Sequence, residues 1–212
     1  MNMEQLEGYI LSNSTAEHPY LHRLYRATQT QLLRPRMASG HLQGLFLKFV
    51  AQLVNPRLVL EIGTYSGYSA LALVSGMMPG SKLITYEIND EQEDFTRPWL
   101  EGNPFPVTIE MRIGDVLELL PETGETNYDL VFIDGNKRDY VKYYDLVLPY
   151  LRSGGIILAD NTLWDGHIAD AAYNNDPQTQ GILAFNSRVA ADESVEKLIL
   201  PLRDGLTIIR KK

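Results

Sequence analysis

The sequence contains no cysteine, which excludes disulfide bonds, thiolate metal sites and a cysteine nucleophile. It also has no apolar run near the roughly 20 residues that a helix needs to span a bilayer, so no contact with a membrane is expected. The first residues, from Met1 to Gln5, carry neither a basic nor an apolar segment, so we expect no secretion signal. A cytoplasmic protein is therefore the expectation.

Positive charge is also scarce. The 212 residues include 19 Lys and Arg against 27 Asp and Glu, which gives a formal net charge of −8. A chain this acidic is a poor general binder of nucleic-acid backbones. The basic residues do gather in two places, and solvated surface is the simplest interpretation of both. They are Arg23, Arg26, Arg34 and Arg36 near the front, and Arg210, Lys211 and Lys212 at the end.

A glycine turn after an apolar run is the most informative local pattern. Leu58–Ser69 reads as a strand that ends in Glu-x-Gly-x-x-x-Gly and passes into a helix start. Glycine lets a ligand approach bare backbone, and Glu87, which ends a second apolar run, lies where nucleotide-binding α/β units hold a ribose. Because no G-x-G-x-x-G is present, the spacing favours a nucleoside without phosphates, such as S-adenosylmethionine. A tight βα turn without a ligand remains the alternative.

The order of apolar segments predicts an α/β fold. Helical patterns fill the front of the chain, and Leu42, Leu45, Phe46, Phe49 and Leu53 predict one apolar face of a helix. Strands and helices then alternate through five βα units, which indicates an open parallel sheet with helices on both faces, closed by an antiparallel hairpin. The predicted strands are 57–62, 82–87, 107–113, 128–133, 155–159, 195–200 and 206–210.

Acidic residues lie at the carboxyl ends of four of the predicted strands, where open α/β sheets bind ligands. Besides Glu87 and Glu61, these are Asp134 and Asp160. Adjacent parallel strands would place Asp134 and Asp160 side by side, and with the amide of Asn161 they form a set of hard oxygen ligands for Mg²⁺, Mn²⁺ or Ca²⁺. Helix capping and an Asx turn would explain the same residues without a metal.

Four segments together resemble one enzyme family. They are EIGTYSGYSALAL, YEIN, DLVFIDGNKRDYVKYYD and GGIILADNTLWDGHIAD. These segments are similar to the cation-dependent O-methyltransferases, the family of catechol and caffeoyl-CoA O-methyltransferases, and closest to its bacterial members and the caffeoyl-CoA branch. The similarity runs from about Leu33 to the C-terminus. It implies a Rossmann-like seven-stranded methyltransferase sheet of order 3-2-1-4-5-7-6 with the last strand antiparallel. It also implies a single domain, with N-terminal helices and a lid in 1–54 and a cofactor-binding core in 55–212.

The resemblance assigns roles residue by residue. It implies that Lys137 is the general base beside Asp134, and that Asp134, Asp160 and Asn161 bind the metal. Met37-Ala38-Ser39 would form a lid segment (residues 37–39) over cofactor and substrate, and Asp165 would contact the substrate with Met37 and Lys137. Asn136 stands where relatives have an aspartate in D-A-D-K. The implied cofactor residues are Met37, Ala38, Glu61, Gly63, Thr64, Ser69, Glu87, Asp115, Val116, Asp134 and Asn136.

The expected activity is methyl transfer from S-adenosylmethionine to a hydroxyl of a catechol-like or other small phenolic acceptor, assisted by a divalent cation, with Mg²⁺ favoured. A tRNA hydroxyuridine is the alternative acceptor, because Arg23, Arg26, Arg34 and Arg36 could form a basic track. A cofactor-binding module without catalysis is a third hypothesis, and a dehydrogenase is disfavoured since the pyrophosphate glycines are missing. A homodimer formed through the front helices is also expected. His41 and His167 are minor candidates for the substrate mouth.

Overall fold

The computed structural model describes residues 3–212, so Met1 and Asn2 of the predicted N-terminal segment lie outside the described residues. Three helices come first, and strands and helices then alternate to the end of the chain. Helices α1 to α8 span Met3–Ser12, Pro19–Gln31, Gly40–Val54, Tyr68–Val74, Glu93–Glu101, Val116–Leu119, Tyr140–Tyr150 and Pro177–Ala191. Strands β1 to β7 span Leu58–Ile62, Lys82–Glu87, Thr108–Ile113, Tyr128–Ile133, Leu151–Asp160, Val195–Leu200 and Leu206–Lys211.

The strands form one seven-stranded sheet of order β3-β2-β1-β4-β5-β7-β6, as the resemblance implied. Strands β1 to β5 are parallel, and β7 inserts antiparallel between β5 and β6. In the parallel ladder, Ile62 pairs with Ile133, and Ile133 pairs with Ala159. The carboxyl ends of the central strands therefore lie level with one another, and the residues that follow them share one edge of the sheet.

Helices cover both faces of the sheet. One apolar layer joins α6, α7 and α8 to alternate strand residues such as Leu60 and Val131. The other joins α2, α3, α4 and α5 to residues such as Val59 and Phe132. Because the central strands are buried on both faces, they read as continuous apolar runs. Within the part of the chain that the structure describes, no helix is both long and apolar enough to cross a bilayer.

Helix α3 does not bury the apolar face that the sequence spacing predicted. Its buried residues are Gln43, Gly44, Leu47 and Ala51, whereas Phe49 is 50% and Leu53 84% exposed. The reason is close packing against α4: a Cβ at Gly44 would lie 2.9 Å from Cε1 of Tyr68. Small residues on one side of α3 let the two helices approach, and the bulkier apolar side is left partly exposed.

Several boundaries differ from the sequence prediction. Strand β5 begins at Leu151 rather than at residue 155, because the chain passes from α7 directly into an extended segment that pairs with Tyr128 before the register shifts. Strand β3 begins at Thr108 rather than at residue 107, and β7 ends at Lys211 rather than at residue 210. The loop after β5 contains two 3-10 turns, Trp164–Ala169 and Ala171–Tyr173.

Candidate active site

A cleft of about 1140 Å³ lies over the carboxyl ends of the parallel strands. Its walls come from five parts of the chain: the segment before α3, the β1–α4 turn, the ends of β2 and β3, the ends of β4 and β5, and the β6–β7 turn. Thirteen of the predicted site residues line it. They are Met37, Ala38, Gly63, Thr64, Ser69, Glu87, Asp115, Val116, Asp134, Asn136, Lys137, Asp160 and Asn161.

The β1–α4 turn needs glycine at both of its marked positions. Gly63 and Gly67 have φ of 97° and 81°, which disfavour residues with a Cβ. A Cβ at Gly63 would also overlap the Asp134 carbonyl, lying 2.8 Å from its carbon. At Gly67 a Cβ would lie 2.8 Å from Cδ2 of Leu100. The turn therefore packs directly on the end of β4, so that its backbone and Asp134 face the same cleft.

Glu87 lies at the end of β2, on the cleft wall, and is 8% exposed. Its two carboxylate oxygens accept from the backbone N–H of Tyr65 at 2.7 Å and of Asn89 at 2.9 Å. Both amides hold the carboxylate in a fixed position beside the glycine turn. Each oxygen keeps a further lone pair, so the group can still accept from ribose hydroxyls.

Glu61 is fully buried and is not part of the cleft wall, although the resemblance placed it at the methionine end of the cofactor. Its carboxyl oxygens accept from Ser69 Oγ and Thr85 Oγ1, both at 2.6 Å. Burial raises the pKa of Glu61 to about 8. Because Ser69 does line the cleft, Glu61 supports the cofactor pocket from behind.

Asp134 and Asp160 lie on adjacent strand ends, as the sequence predicted, directly after the paired residues Ile133 and Ala159. Asp160 is 4% exposed, and its oxygens accept from Asn161 N at 2.8 Å and Gln43 Nε2 at 2.6 Å. Burial, reinforced by the charge of Asp134, raises the pKa of Asp160 to about 6. Two carboxylates thus share a partly dry site in which a further positive charge would be stabilising.

Lys137 lies beside this carboxylate pair and is 7% exposed. Its Nζ donates to Asp134 Oδ1 at 2.8 Å, to the Gly135 carbonyl at 3.2 Å and to Tyr140 Oη at 2.9 Å. Tyr140 in turn donates to the Asp160 carbonyl at 2.9 Å. Among the described residues that line the cleft, Lys137 is the one lysine and there is no histidine. Among these lining residues, Lys137 therefore contributes the one side-chain amine, and this amine lies beside the carboxylate pair.

Three of the residues considered from the sequence do not line the cleft. Asp165 is exposed and off the cleft wall, in a turn where it has φ of 51°. His41 bonds the Thr15 carbonyl at 2.9 Å, and His167 stacks on Tyr173 with ring centroids 3.6 Å apart. Neither histidine lines the cleft.

The sequence reasoning missed two polar residues that act at the site. Gln43 donates to Asp160, and Arg203 lines the cleft and donates to Gln43 Oε1 at 2.7 Å. A polar residue directly before a glycine in a helix was the available signal for Gln43. No local pattern marks Arg203, since its partners lie about 160 residues earlier in the chain.

The strand order, the glycine turn, the acid at the end of β2 and the cleft together define a class I S-adenosylmethionine-dependent methyltransferase. Residues 11–212 match the family model described as O-methyltransferase. The chain belongs to this family and is an S-adenosylmethionine-dependent O-methyltransferase of the caffeoyl-CoA O-methyltransferase type.

The relatives span almost the whole chain. A protein from Dictyostelium discoideum named probable caffeoyl-CoA O-methyltransferase 2 is 30% identical over 208 residues, which cover 96% of this chain and 90% of that protein. The O-methyltransferase from Bacillus cereus, crystallised with SAH, superposes with a TM-score of 0.89 at 27% identity and covers 98% of this chain and 97% of its own. The SAH-bound methyltransferase PaMTH1 from Podospora anserina has a TM-score of 0.90 at 29% identity, with 99% and 95% covered.

Proposed function

We propose that this enzyme transfers a methyl group to a hydroxyl of a catechol-like or other small phenolic acceptor, with the help of a divalent cation. One observation carries the proposal: Asp134, Asp160, Asn161 and Lys137 line the same cleft as the glycine turn, with the two aspartates on adjacent strand ends and Lys137 bonded to Asp134. The Dictyostelium relative, named as a probable caffeoyl-CoA enzyme, supports it, because a caffeoyl group is itself a catechol.

The donor set fits a hard cation. Two carboxylates and one amide oxygen suit Mg²⁺ foremost, with Mn²⁺ or Ca²⁺ as alternatives. Within residues 3–212, no group of three or more His, Cys, Asp or Glu side chains is arranged to hold a metal, and the third protein ligand of this proposal would be the amide oxygen of Asn161. The raised pKa of Asp160 beside Asp134 supports the fit, because a cation between the two carboxylates would relieve their repulsion.

In this proposal each of these residues has a separate role in methyl transfer. S-adenosylmethionine supplies the electrophilic methyl group, and a cation held by Asp134, Asp160 and Asn161 would polarise the acceptor hydroxyl as a Lewis acid. Lys137 Nζ would accept the proton of that hydroxyl, so that the oxygen can form its bond to the methyl carbon as the S–C bond breaks. Glu87 and the glycine turn would hold the cofactor in the same cleft as Lys137 and the cation ligands, so that the two reactants meet there and much of the entropic barrier is removed.

The test is a methyl-transfer assay with labelled S-adenosylmethionine on chelator-treated protein, with Mg²⁺, Mn²⁺ or Ca²⁺ restored, against a catechol panel. We expect activity to require the cation and to be lost in Asp160→Asn and Lys137→Met. Both variants should still bind SAH by calorimetry. Asp145→Asn and Lys197→Met change exposed residues in the same way and should keep full activity. Full turnover in excess EDTA, with metal absence verified, would refute the cation role.

A tRNA acceptor is a second candidate, favoured by two arginines at the mouth. Arg34 and Arg36 are exposed and line the cleft, so an anionic acceptor would meet positive charge there. Arg23 and Arg26, the rest of the predicted track, do not line it. Undermethylated tRNA in the same assay distinguishes the two acceptors. Methylation of tRNA but of no catechol would replace the phenolic proposal.

We also propose that the enzyme is a homodimer that pairs through α3. Phe49 and Leu53 are one helical turn apart and both exposed, and together they form an apolar surface on α3. A second copy of the chain is the expected partner. Sedimentation equilibrium should show a dimer for the wild type and a monomer for Leu53→Asp. A monomeric wild type at micromolar concentration would refute this pairing.

A further inference from the structure

The β6–β7 turn reaches across the cleft to the lid segment, and Arg203 makes the connection. Its Nη1 donates to the carbonyl oxygens of Ser39 and Ala38 and, at 2.7 Å, to Oε1 of Gln43. Residues 38 and 39 end the lid segment, and Gln43 lies in the first turn of α3. One guanidinium therefore holds the backbone of the lid segment and a side chain of the following helix at the same time.

Gln43 continues the connection to the proposed cation site. It is 2% exposed, and its Nε2 donates to Asp160 Oδ2 at 2.6 Å. The two ends of the amide are not interchangeable here, because Arg203 can only donate and an ionised Asp160 can only accept. Hydrogen-bond donation therefore runs in one direction, from Arg203 to Gln43 and from Gln43 to Asp160. Each donor fixes the orientation of the side chain that accepts from it.

The turn that carries Arg203 is itself fixed to the loop after β5. The N–H groups of Thr162 and Leu163 donate to the carbonyls of Gly205 and Asp204 at 3.0 and 2.8 Å. Gly205 has φ of 87°, and a Cβ there would lie 2.6 Å from Leu163 N, so the turn packs tightly on this loop. The loop begins with Asn161, a proposed cation ligand. The turn that carries Arg203 is thus fixed by hydrogen bonds and close packing to the loop that contains a proposed ligand, and Arg203 extends from this turn to the lid segment.

We propose that Arg203 and Gln43 form a latch that joins the lid segment to Asp160, so that cation binding and ordering of the lid segment stabilise each other. Both are positioning residues: Arg203 contacts the lid segment and Gln43, and Gln43 contacts a proposed ligand. Coupling of this kind is reciprocal, since whatever orients Asp160 favours the latched lid and the latched lid favours that orientation. The inference rests on the cation role proposed above, and the experiment separates the two.

The first measurement is Mn²⁺ affinity, read by electron paramagnetic resonance of free Mn²⁺ without cofactor or acceptor. Gln43→Met should weaken Mn²⁺ binding about tenfold or more, as loss of a hydrogen bond to a metal ligand generally does. Arg203→Met should weaken it too, although Arg203 contacts no proposed ligand. The double variant should be no weaker than Gln43→Met, because both changes break one chain of contacts. Arg203→Lys keeps a donor and should recover part of the affinity.

The second measurement follows the lid segment directly. Trypsin can cut at the exposed Arg36, just before Met37, whereas Arg34 precedes Pro35 and resists cleavage. Mn²⁺ should slow the cut at Arg36 in the wild type, as measured by mass spectrometry. In Arg203→Met the cut should be faster and insensitive to Mn²⁺. The matched control is Arg210→Met, which removes an exposed arginine paired with Glu196 and should behave as the wild type. Circular dichroism checks that each variant is folded.

Two different results would overturn the latch. If the wild type binds Mn²⁺ but Arg203→Met shows the same affinity and the same Mn²⁺ protection at Arg36, the latch is wrong while the cation role stands. If the wild type binds SAH but no Mn²⁺, Mg²⁺ or Ca²⁺, the cation role fails and the latch fails with it.

Discussion

Replacement of Gly63 by alanine tests how closely the cofactor turn and the proposed cation site are built together. The new Cβ would lie 2.8 Å from the Asp134 carbonyl carbon and 3.2 Å from Gly135 N. Carbon atoms normally pack at about 3.5–4.0 Å, so the ends of β1 and β4 would have to separate by roughly 1 Å. Overpacking of this kind costs about 1–3 kcal/mol. A left-handed backbone costs an L-residue about 1–2 kcal/mol more.

Gly80→Ala provides the matched control. Gly80 has φ of 81°, and nothing lies within 4 Å of a Cβ built there, so this variant carries the backbone cost alone. Urea unfolding should therefore show Gly63→Ala to be less stable than Gly80→Ala by about 1–3 kcal/mol. SAH affinity by calorimetry should fall at least about tenfold in Gly63→Ala only, because a misplacement near 1 Å weakens binding geometry severely. Equal stability and equal SAH affinity in the two variants would refute the close-contact argument.

Three further predictions concern stability. The pKa of Glu61 is about 8 in the folded protein against an ordinary 4.5, so between these pH values the folded protein keeps a proton that the unfolded chain loses. The free energy of unfolding should therefore fall as pH rises through this range, by up to about 1.4 kcal/mol per pH unit. Glu61→Gln should flatten this slope in urea titrations without cofactor. Leu47→Ala should lower the free energy of unfolding by about 2–5 kcal/mol, because Leu47 is fully buried. Leu53→Ala in the same helix should change the stability of the monomer by less than about 0.5 kcal/mol. Equal urea midpoints for the two variants would contradict the packing of α3. Asn136→Asp should lower the free energy of unfolding by about 1 kcal/mol, because it replaces the 2.8 Å hydrogen bond from Asn136 Nδ2 to Asp139 Oδ2 with two like charges. An unchanged urea midpoint at neutral pH would contradict this prediction.

The sequence was sufficient to predict most of the sheet. Strands β2, β4 and β6 have the predicted bounds, because each is a short apolar or alternating run between turn residues. The start of β5 was missed, because Arg152-Ser153-Gly154-Gly155 interrupts the apolar pattern and its extension depends on pairing with β4. Local patterns report what a segment prefers, and pairing with a distant strand can override that preference.

The face of α3 was predicted least well, and the reason is physical. Hydrophobic periodicity predicts burial of the α3 face with the largest apolar side chains. The face that is buried instead contains Gly44, whose lack of a side chain allows α4 to pack closely against α3. Gln43 is buried on the same face because Asp160, 117 residues later in the chain, accepts its hydrogen bond. A buried polar residue with remote partners cannot be identified from its own neighbours in the sequence.

The four acids at the strand ends show why the same sequence position gives different chemistry. Each lies at or near the end of a parallel strand, yet Glu61 contacts two hydroxyl groups inside the protein and Glu87 contacts two backbone amides. Asp134 and Asp160 lie at adjacent strand ends, where the charge of Asp134 helps to raise the pKa of Asp160. Burial raises the pKa of Glu61 although its two hydroxyl donors lower it, and Glu61 does not line the cleft. Two carboxylates on adjacent strand ends instead favour a positive charge beside them. Lys137 supplies part of this positive charge through its ion pair with Asp134. The cation that we propose would balance the remaining negative charge of the two carboxylates, with Lys137 beside it.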